Sequence, residues 1–198
     1  EPAVYAYALP FKGTDCGGFC AVGNTLFVFD FPNRSLLGVQ GDRFAPLDSM
    51  DGWHVSDATM VGRVPHYCSR GRILTKVQGK VREIPVAGAA DLISITASDD
   101  GLFLLDAASR QILQIKAGYS AGHHFACPGR QPRDLAYHAG FLWVLDAAER
   151  CVRKVDPRTG QVAACFQAGF QAGSSGIVFL GDQLYVHEAD TARLRHLP

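Results

Sequence analysis

Three acidic residues of the sequence are each followed by an arginine four positions later, which is the spacing of a carboxylate with a fixed basic partner. The pairs are Asp30 with Arg34, Asp106 with Arg110, and Asp146 with Arg150. A catalytic carboxylate is normally unique, because its surroundings must tune its pKa individually. A carboxylate that recurs with the same partner is explained more simply as a turn device, in which the acid accepts backbone N–H groups and the arginine pairs with it across the loop. We therefore assign these six residues a structural role and no catalytic one.

Histidine is the next residue type that could carry chemistry. His123 and His124 are adjacent in SAGHHFACPG, and Trp53 precedes His54 in DGWH. Imidazole is the commonest transition-metal ligand, so several histidines around one opening could hold copper or zinc. The sequence contains no H-x-H or H-x-x-x-H pair, and ligand spacing decides such assignments. We expect no cofactor, and a metal site remains the less favoured alternative.

Two further histidines, His66 and His187, stand where the neighbouring repeats described below have apolar residues. A histidine that replaces a core residue is by default buried, with its ring nitrogens hydrogen-bonded. We expect this for both residues, and a ligand-facing role is the alternative.

The six cysteines of the chain are an even number, which is typical of an oxidising compartment, although six allow fifteen connectivities. Cys16 and Cys20 lie in DCGGFC, where two glycines let the chain curl, and we expect a disulfide between them. A zinc site would need a second C-x-x-C or histidine pair at suitable spacing. Cys151 and Cys165 flank a turn, DPRTG. A regular hairpin would place them on opposite faces, and one bulge would bring them together.

The charge of the chain is balanced, with 19 basic and 19 acidic residues. This balance argues against a nucleic-acid partner and against electrostatic docking to anionic membranes. No apolar run approaches the roughly 18 residues that a membrane span needs. The opening EPAVYAYALP, which starts at Glu1, is typical of a mature exported protein or of a shortened chain, and we expect an extracytoplasmic location.

The chain repeats itself with a period near 40 residues. Four related segments are TLFVFDFPNRSLLGV, GLFLLDAASRQILQI, GFLWVLDAAERCVRKV and DQLYVHEADTARLRHL. The acid that ends each apolar run recurs at Asp30, Asp106, Asp146 and Glu188. The first interval is twice the others, and VPHYCSRGRILTKV fills the gap, with Tyr67 or Cys68 in place of the acid. Five repeats therefore occupy the sequence, at about 18–50, 51–88, 89–130, 131–172 and 173–198.

Each repeat divides into short apolar runs separated by Gly, Pro, Asp and Asn, which predicts four strands. Four antiparallel strands at this period predict an all-β fold, a five-bladed β-propeller of four-stranded blades. The last repeat supplies only three strands, so we expect an N-terminal strand over 3–10 to complete it. We expect one domain over residues 1–198. An open β-sandwich or an irregular solenoid is the alternative.

The segments LDAAERCVRKVD and LDAASRQILQI resemble the blades of NHL-type and YVTN-type propellers, and the resemblance extends from Gly18 to Pro198. It implies an architecture and no particular activity, because propellers host unrelated functions. Linkers between propeller blades emerge on the same face as the turns after each second strand. We therefore expect Trp53, His54, His123 and His124 around one mouth of the central channel, as a binding site.

The inner strands of the repeats do not carry the residues of a known propeller enzyme site. Gluconolactonase-like propellers hold a divalent metal with Glu, Asn and Asp on the inner strands, where this sequence offers only Asp57, Asp91 and Asp134. The sequence also lacks a G-x-S-x-G elbow, a P-loop and a dinucleotide fingerprint.

The function that we predict is a non-enzymatic binding or accessory subunit that presents one propeller face to a protein partner or a small ligand. It involves neither nucleic acid nor membrane insertion. One alternative is a metal- or histidine-assisted lyase or hydrolase with its site at the channel mouth. Another is a subunit of a larger extracytoplasmic redox or surface assembly.

Overall fold

The structure is a computed structural model, and it describes residues 5–9, 15–41, 43–167, 169–170 and 173–197. Residues 3, 4 and 10 of the expected first strand lie outside the described residues, as does Glu1. In the described part of the chain, twenty β-strands form five four-stranded antiparallel sheets, so the predicted five-bladed propeller is confirmed. No helix among these residues has the length and apolar character needed to span a bilayer.

The strands follow the chain blade by blade. The first strand is β1 (Tyr5–Ala8), and blade 1 contains β2 (Cys16–Val22), β3 (Thr25–Asp30), β4 (Ser35–Gln40) and β5 (Arg43–Ser49). Blade 2 contains β6 (Asp57–Val61), β7 (Val64–Ser69), β8 (Arg72–Val77) and β9 (Lys80–Pro85). Blade 3 contains β10 (Leu92–Ser98), β11 (Gly101–Asp106), β12 (Gln111–Lys116) and β13 (Ala121–Ala126), with a short 3₁₀ turn at Ala117–Tyr119. Blade 4 contains β14 (Pro132–His138), β15 (Phe141–Asp146), β16 (Cys151–Val155) and β17 (Val162–Gln167). Blade 5 contains β18 (Ser174–Leu180), β19 (Gln183–Glu188) and β20 (Arg193–Leu197).

The N-terminal strand completes the last blade, as predicted. β1 pairs with β20, and the sheet order of blade 5 is β1-β20-β19-β18. Ala8 lies opposite Arg193 in this pairing, and the Leu9 N–H donates to the carbonyl of Ala192 at 3.0 Å. The first and last strands of the described chain are therefore neighbours in one sheet.

The core lies between successive blades. In the second strand of blade 3, Leu102, Phe103, Leu104 and Leu105 are all buried, although their side chains alternate between the two faces of the sheet. Both faces are covered because each blade is stacked between two others, as in buried sheets whose strands are continuously apolar. Phe103, for example, belongs to an apolar cluster with Leu142 of blade 4. The apolar runs of the repeats are thus explained by burial on two sides.

The recurring acids fasten the turn after each second strand. Asp146 is fully buried, and its side chain accepts the N–H of Glu149 at 3.0 Å and the N–H of Arg130 at 2.6 Å. Burial opposes ionisation of this carboxyl, but the N–H donors outweigh it and lower the pKa of Asp146. Asp106 similarly accepts the N–H of Ser109 at 3.0 Å and that of Asp91 at 2.7 Å. Asp106 and Asp146 therefore each join their turn to the linker that enters the same blade.

The arginine of these turns does not pair with the acid, and this part of the sequence interpretation was wrong. Arg34 donates to the carbonyl of Trp53 at 2.8 Å, and Arg110 donates to the carbonyl of Gly129 at 2.6 Å. Both arginines adopt a positive φ, 49° and 56°, where the turn ends. Their side chains extend to the following inter-blade linker, and they act as caps for its carbonyl groups.

Candidate ligand site at the channel mouth

One position of the inner strands binds blades 2, 3 and 4 to the blade that follows each of them. The Oδ2 atom of Asp57 accepts the N–H of Ile95 at 2.7 Å, so that blade 2 is tied to blade 3. Ser94 Oγ accepts the N–H of Leu135 at 3.0 Å, which ties blade 3 to blade 4. Asp134 ties blade 4 to blade 5, because its Oδ2 atom accepts the N–H of Ile177 at 2.8 Å.

Blades 5 and 1 have glycine at this position. A Cβ atom at Gly18 would lie 2.8 Å from the backbone nitrogen of Ala58, and one at Gly176 would lie 2.5 Å from the ring of Phe19. At these two junctions the neighbouring blade comes too close to leave room for a side chain. At this one position, polar side chains are therefore present in blades 2, 3 and 4 and absent from blades 5 and 1.

Asp57 and Asp134 form a buried carboxyl pair, and each is only 5% exposed. Burial raises the pKa of Asp134 to about 6, although Ser94 donates to its Oδ1 atom at 2.6 Å. Burial, followed by the charge of Asp134, raises the pKa of Asp57 well above its usual range. Two carboxyl groups that interact in this way titrate as a pair, and the pair retains protons to a higher pH than an exposed carboxyl group does.

The carboxyl pair lines a cavity of about 390 Å³ on the face that carries the linkers and the turns. This volume lies in the range of small-molecule sites, roughly 300–1,000 Å³. Ser56 and Ser175 add hydroxyl groups, and Phe31 supplies part of an apolar wall. Arg133 also lines the cavity and is exposed, so it places a positive charge at the rim.

Buried histidines have partners for both ring nitrogens, as expected for His66 and His187. The Nδ1 atom of His187 lies 2.7 Å from Ser175 Oγ, and its Nε2 atom lies 3.7 Å from Cys16 Sγ. Burial lowers the pKa of His187 to about 4, so its ring is neutral at physiological pH. His66 contacts the Tyr119 hydroxyl at 2.7 Å and the carbonyl of Val64 at 3.0 Å.

The four residues predicted to meet at one mouth do not all do so. Trp53 and His54 lie on the linker face, in a groove beside the cavity. His123 and His124 lie on β13, the outermost strand of blade 3, where His123 Nε2 donates to the carbonyl of Pro157 at 2.6 Å. The segment that was interpreted as an inter-blade linker continues the sheet instead, with His124 opposite Leu113. The predicted convergence was therefore wrong for these two histidines.

Sequence reasoning considered Asp57 and Asp134 only as ligands of a lactonase-like metal site, and it missed Ser94. The available signal was a serine or an aspartate within the first three residues of an inner strand, in DATMV, LISITAS and PRDLAYH. Among the described residues, no three His, Cys, Asp or Glu side chains converge to form a potential metal site.

All six cysteines are free thiols in the structure, so the Cys16–Cys20 disulfide is not formed. Both residues lie in β2, opposite Asp30 and Phe27 of the neighbouring strand. Three residues of strand separate these partners by about 10 Å, whereas a disulfide requires Cα atoms within about 7 Å.

The second cysteine pair lies on one face of blade 4 because the register shifts between Lys154 and Val155. Cys151 is opposite Gln167 and Cys165 is opposite Arg153, so the two thiols are diagonal neighbours. Contact with Cys165, after burial, contributes to raising the pKa of Cys151 to about 12. The bulge that the sequence interpretation required is therefore present.

We expect one of the six thiols to react rapidly in the native protein. Cys165 is exposed, whereas burial raises the pKa of each of the other five cysteines. A buried thiol with a raised pKa forms little of the reactive thiolate. Brief treatment with N-ethylmaleimide at pH 7.5, followed by mass spectrometry, should add one label per chain and six in denaturant. Cys165→Ser should abolish the native label and Cys127→Ser should not, and two rapid labels in the native protein would contradict the assignment.

Comparison with known proteins adds evidence on the fold. No protein-family model and no curated protein matches the sequence. Glutaminyl cyclase from Myxococcus xanthus superposes with a TM-score of 0.74 at 11% identity, covering 99% of this chain and 95% of that one. The calcium-binding protein regucalcin from Agrobacterium tumefaciens gives 0.64 at 12% identity, covering 98% and 93%. Virginiamycin B lyase from Staphylococcus aureus gives 0.63 at 14% identity, covering 96% and 68%. These structure neighbours are β-propellers that include enzymes and a binding protein, and at such identities the likeness is one of fold.

Proposed function

We propose that the protein is a non-enzymatic binding module and that it takes a small primary amine in the cavity at the channel mouth. The observation that carries the proposal is the buried pair Asp57 and Asp134, which faces a cavity of ligand size. Buried carboxylates without a cationic partner are costly, and the cost is reduced when they hold a proton or meet a cation. None of the ion pairs among the described residues involves either aspartate.

An ammonium group suits this pair by charge and by hydrogen bonding. The backbone N–H groups and Ser94 occupy part of the acceptor capacity of the two carboxyls, and an ionised carboxyl accepts about four hydrogen bonds. An ammonium brings three donors and one positive charge, so it can compensate the buried negative charge of the pair. The exposed Arg133 at the rim adds a place for an anionic group of the ligand, which extends the class from simple amines to amino acids.

The histidine-assisted enzyme alternative loses support, because His123 and His124 lie on the perimeter of blade 3. A protein partner and membership of a larger assembly remain alternatives to a small ligand. NHL- or YVTN-type blades and one domain over the whole chain are further proposals, supported by the repeated LDAAER and LDAASR segments. An extracytoplasmic location is also proposed, although the free thiols remove the support that disulfides would have given it.

We expect amine binding to weaken by about tenfold between pH 7.5 and pH 5, because a proton on a carboxyl with a pKa near 6 competes with the cation. Calorimetric titration with propylamine at the two pH values measures the change, and propanol is the uncharged control. Equal affinity at both pH values, or equal binding of amine and alcohol, would contradict the proposal. A peptide with an N-terminal glutamine is tested as a further ligand. If the protein releases ammonia from this peptide, it is an enzyme, and the non-enzymatic part of the proposal is wrong.

A further inference from the structure

An apolar groove adjoins the cavity on the linker face. Its volume is about 290 Å³, and its lining is formed by aromatic and aliphatic side chains together with two basic ones: Phe29, Phe31, Arg34, Trp53, His54 and Val55. Phe31 lines both the groove and the cavity, so the two spaces share one wall.

The position of Phe31 is determined by a glycine in the inner strand. A Cβ atom at Gly17 would lie 2.9 Å from the ring of Phe31, so this ring lies directly on the backbone of β2. On its other side, Phe31 meets Phe29 edge to face, with ring centroids 5.5 Å apart, and Phe29 meets Tyr67 in the same way at 5.6 Å. The shared wall is therefore supported from both sides before any ligand arrives.

The far side of the groove is fixed by hydrogen bonds to the backbone of its loop. Arg34 donates to the carbonyl of Trp53 at 2.8 Å, and the N–H of Trp53 donates to the carbonyl of Met50 at 3.0 Å. Trp53 is half-buried and His54 is exposed. The guanidinium of Arg34 makes the groove unfavourable for a cation, whereas the cavity holds the two carboxyls. An amine that occupies both spaces is thereby oriented with its charge in the cavity.

We infer that the cavity and the groove are two halves of one site, which takes amines that carry an aromatic or bulky apolar group. This inference rests on the proposed function and specifies its ligand class. The ammonium group contacts Asp57 and Asp134, and the apolar group lies against Phe31 and Trp53. Aromatic rings associate favourably in offset or edge-to-face geometry, and the exposed apolar wall is covered by the ligand.

Three probes test this arrangement: a short amine, an amine with a phenyl ring, and an alcohol of the same size as the second amine. We expect 2-phenylethylamine to bind at least about tenfold more tightly than propylamine, since it buries a phenyl ring in the groove. 2-Phenylethanol, which lacks the charge, should bind at least about tenfold more weakly than 2-phenylethylamine. The chain has two tryptophans, so a Trp143→Phe background leaves Trp53 as the single indole, and its fluorescence should change with 2-phenylethylamine and not with propylamine.

The outcomes separate the inference from the proposed function. If propylamine and 2-phenylethylamine bind equally well, the joined site is wrong and the amine site stands. If neither amine binds, both are wrong. If 2-phenylethanol binds as tightly as 2-phenylethylamine, the groove acts without the carboxyls and the inference is overturned. Phe31→Ala should reduce the ratio of the two amine affinities to about two, whereas Phe166→Ala, on the exposed outer strand of blade 4, should leave it unchanged.

Discussion

Asp146→Ala should lower the free energy of unfolding by about 2–4 kcal/mol, because it leaves buried donors without an acceptor. Asp146 accepts the N–H groups of Arg130 and Glu149 and pairs with Arg153 at 3.0 Å. Each lost partner of a buried polar group costs roughly 1–3 kcal/mol, and water at the exposed linker recovers part of this. Urea unfolding followed by circular dichroism measures the change.

The matched control is Arg150→Ala in the same turn, where the side chain is exposed and the expected change is within about 0.5 kcal/mol. The pH dependence gives a second check. The pKa of Asp146 is lowered in the folded state, so its contribution is present above the ordinary pKa of 3.8 and is lost as pH falls through the folded pKa. The difference between wild type and Asp146→Ala should therefore shrink below pH 4, and a difference that stayed constant there would count against the role of the ionised carboxylate.

Gly18→Ala should destabilise the protein by roughly 2–4 kcal/mol, the sum of backbone strain and a steric clash. Gly18 has a φ of +60°, and its new Cβ would lie 2.8 Å from the backbone nitrogen of Ala58 in the next blade. Because that neighbour is backbone, blade 2 must move to relieve the contact. Thermal and urea unfolding of the purified variant measure the loss.

Gly23→Ala separates the two contributions to this effect. Gly23 has nearly the same φ, +59°, and no atom lies within 4 Å of the Cβ position. Its substitution should cost only the strain, about 1–2 kcal/mol. Equal losses of unfolding free energy in the two variants would show that the close approach of blades 1 and 2 contributes nothing to the destabilisation.

The number of blades could be predicted from the sequence because four of the five second strands end in an acid immediately before the turn. Blade 2 lacks this acid, and the predicted alignment of its repeat with the other repeats was incorrect. Tyr67 or Cys68 was expected in its place, but the last pair before the turn of blade 2 is Ser69 with Arg72, so Ser69 takes the position. The incorrect alignment also affects two histidines. His66 lies opposite Thr59 and His187 lies opposite Gly176, so they do not occupy equivalent positions in their blades.

The site was harder to predict, because it depends on contacts between residues about 40 positions apart. A serine or an aspartate at the start of an apolar strand gives no sign that the next blade will donate an N–H to it. The raised pKa of Asp134 follows from burial inside the closed ring, which no local pattern reports. The location of His123 and His124 was predicted wrongly for a local reason. They lie in a strand at the outer edge of the blade, and the exposed polar residues of such a strand resemble those of a loop.

The glycines of the inner ring have a consequence for how the protein opens. Blade 2 is bound to blade 3 by Asp57 and also by Thr59, whose Oγ1 atom accepts the N–H of Ala97 at 3.2 Å. Blade 1 meets both neighbours through glycine junctions, at Gly18 and Gly176. Blade 1 is also held to blade 2 by Asp48 of β5, whose side chain accepts hydrogen bonds from the Tyr67 hydroxyl and from Lys76, each at 2.6 Å. Local opening breaks the contacts of one cooperative unit together, so the release of blade 1 from blade 2 requires the loss of these outer-strand bonds as well as of the inner contact.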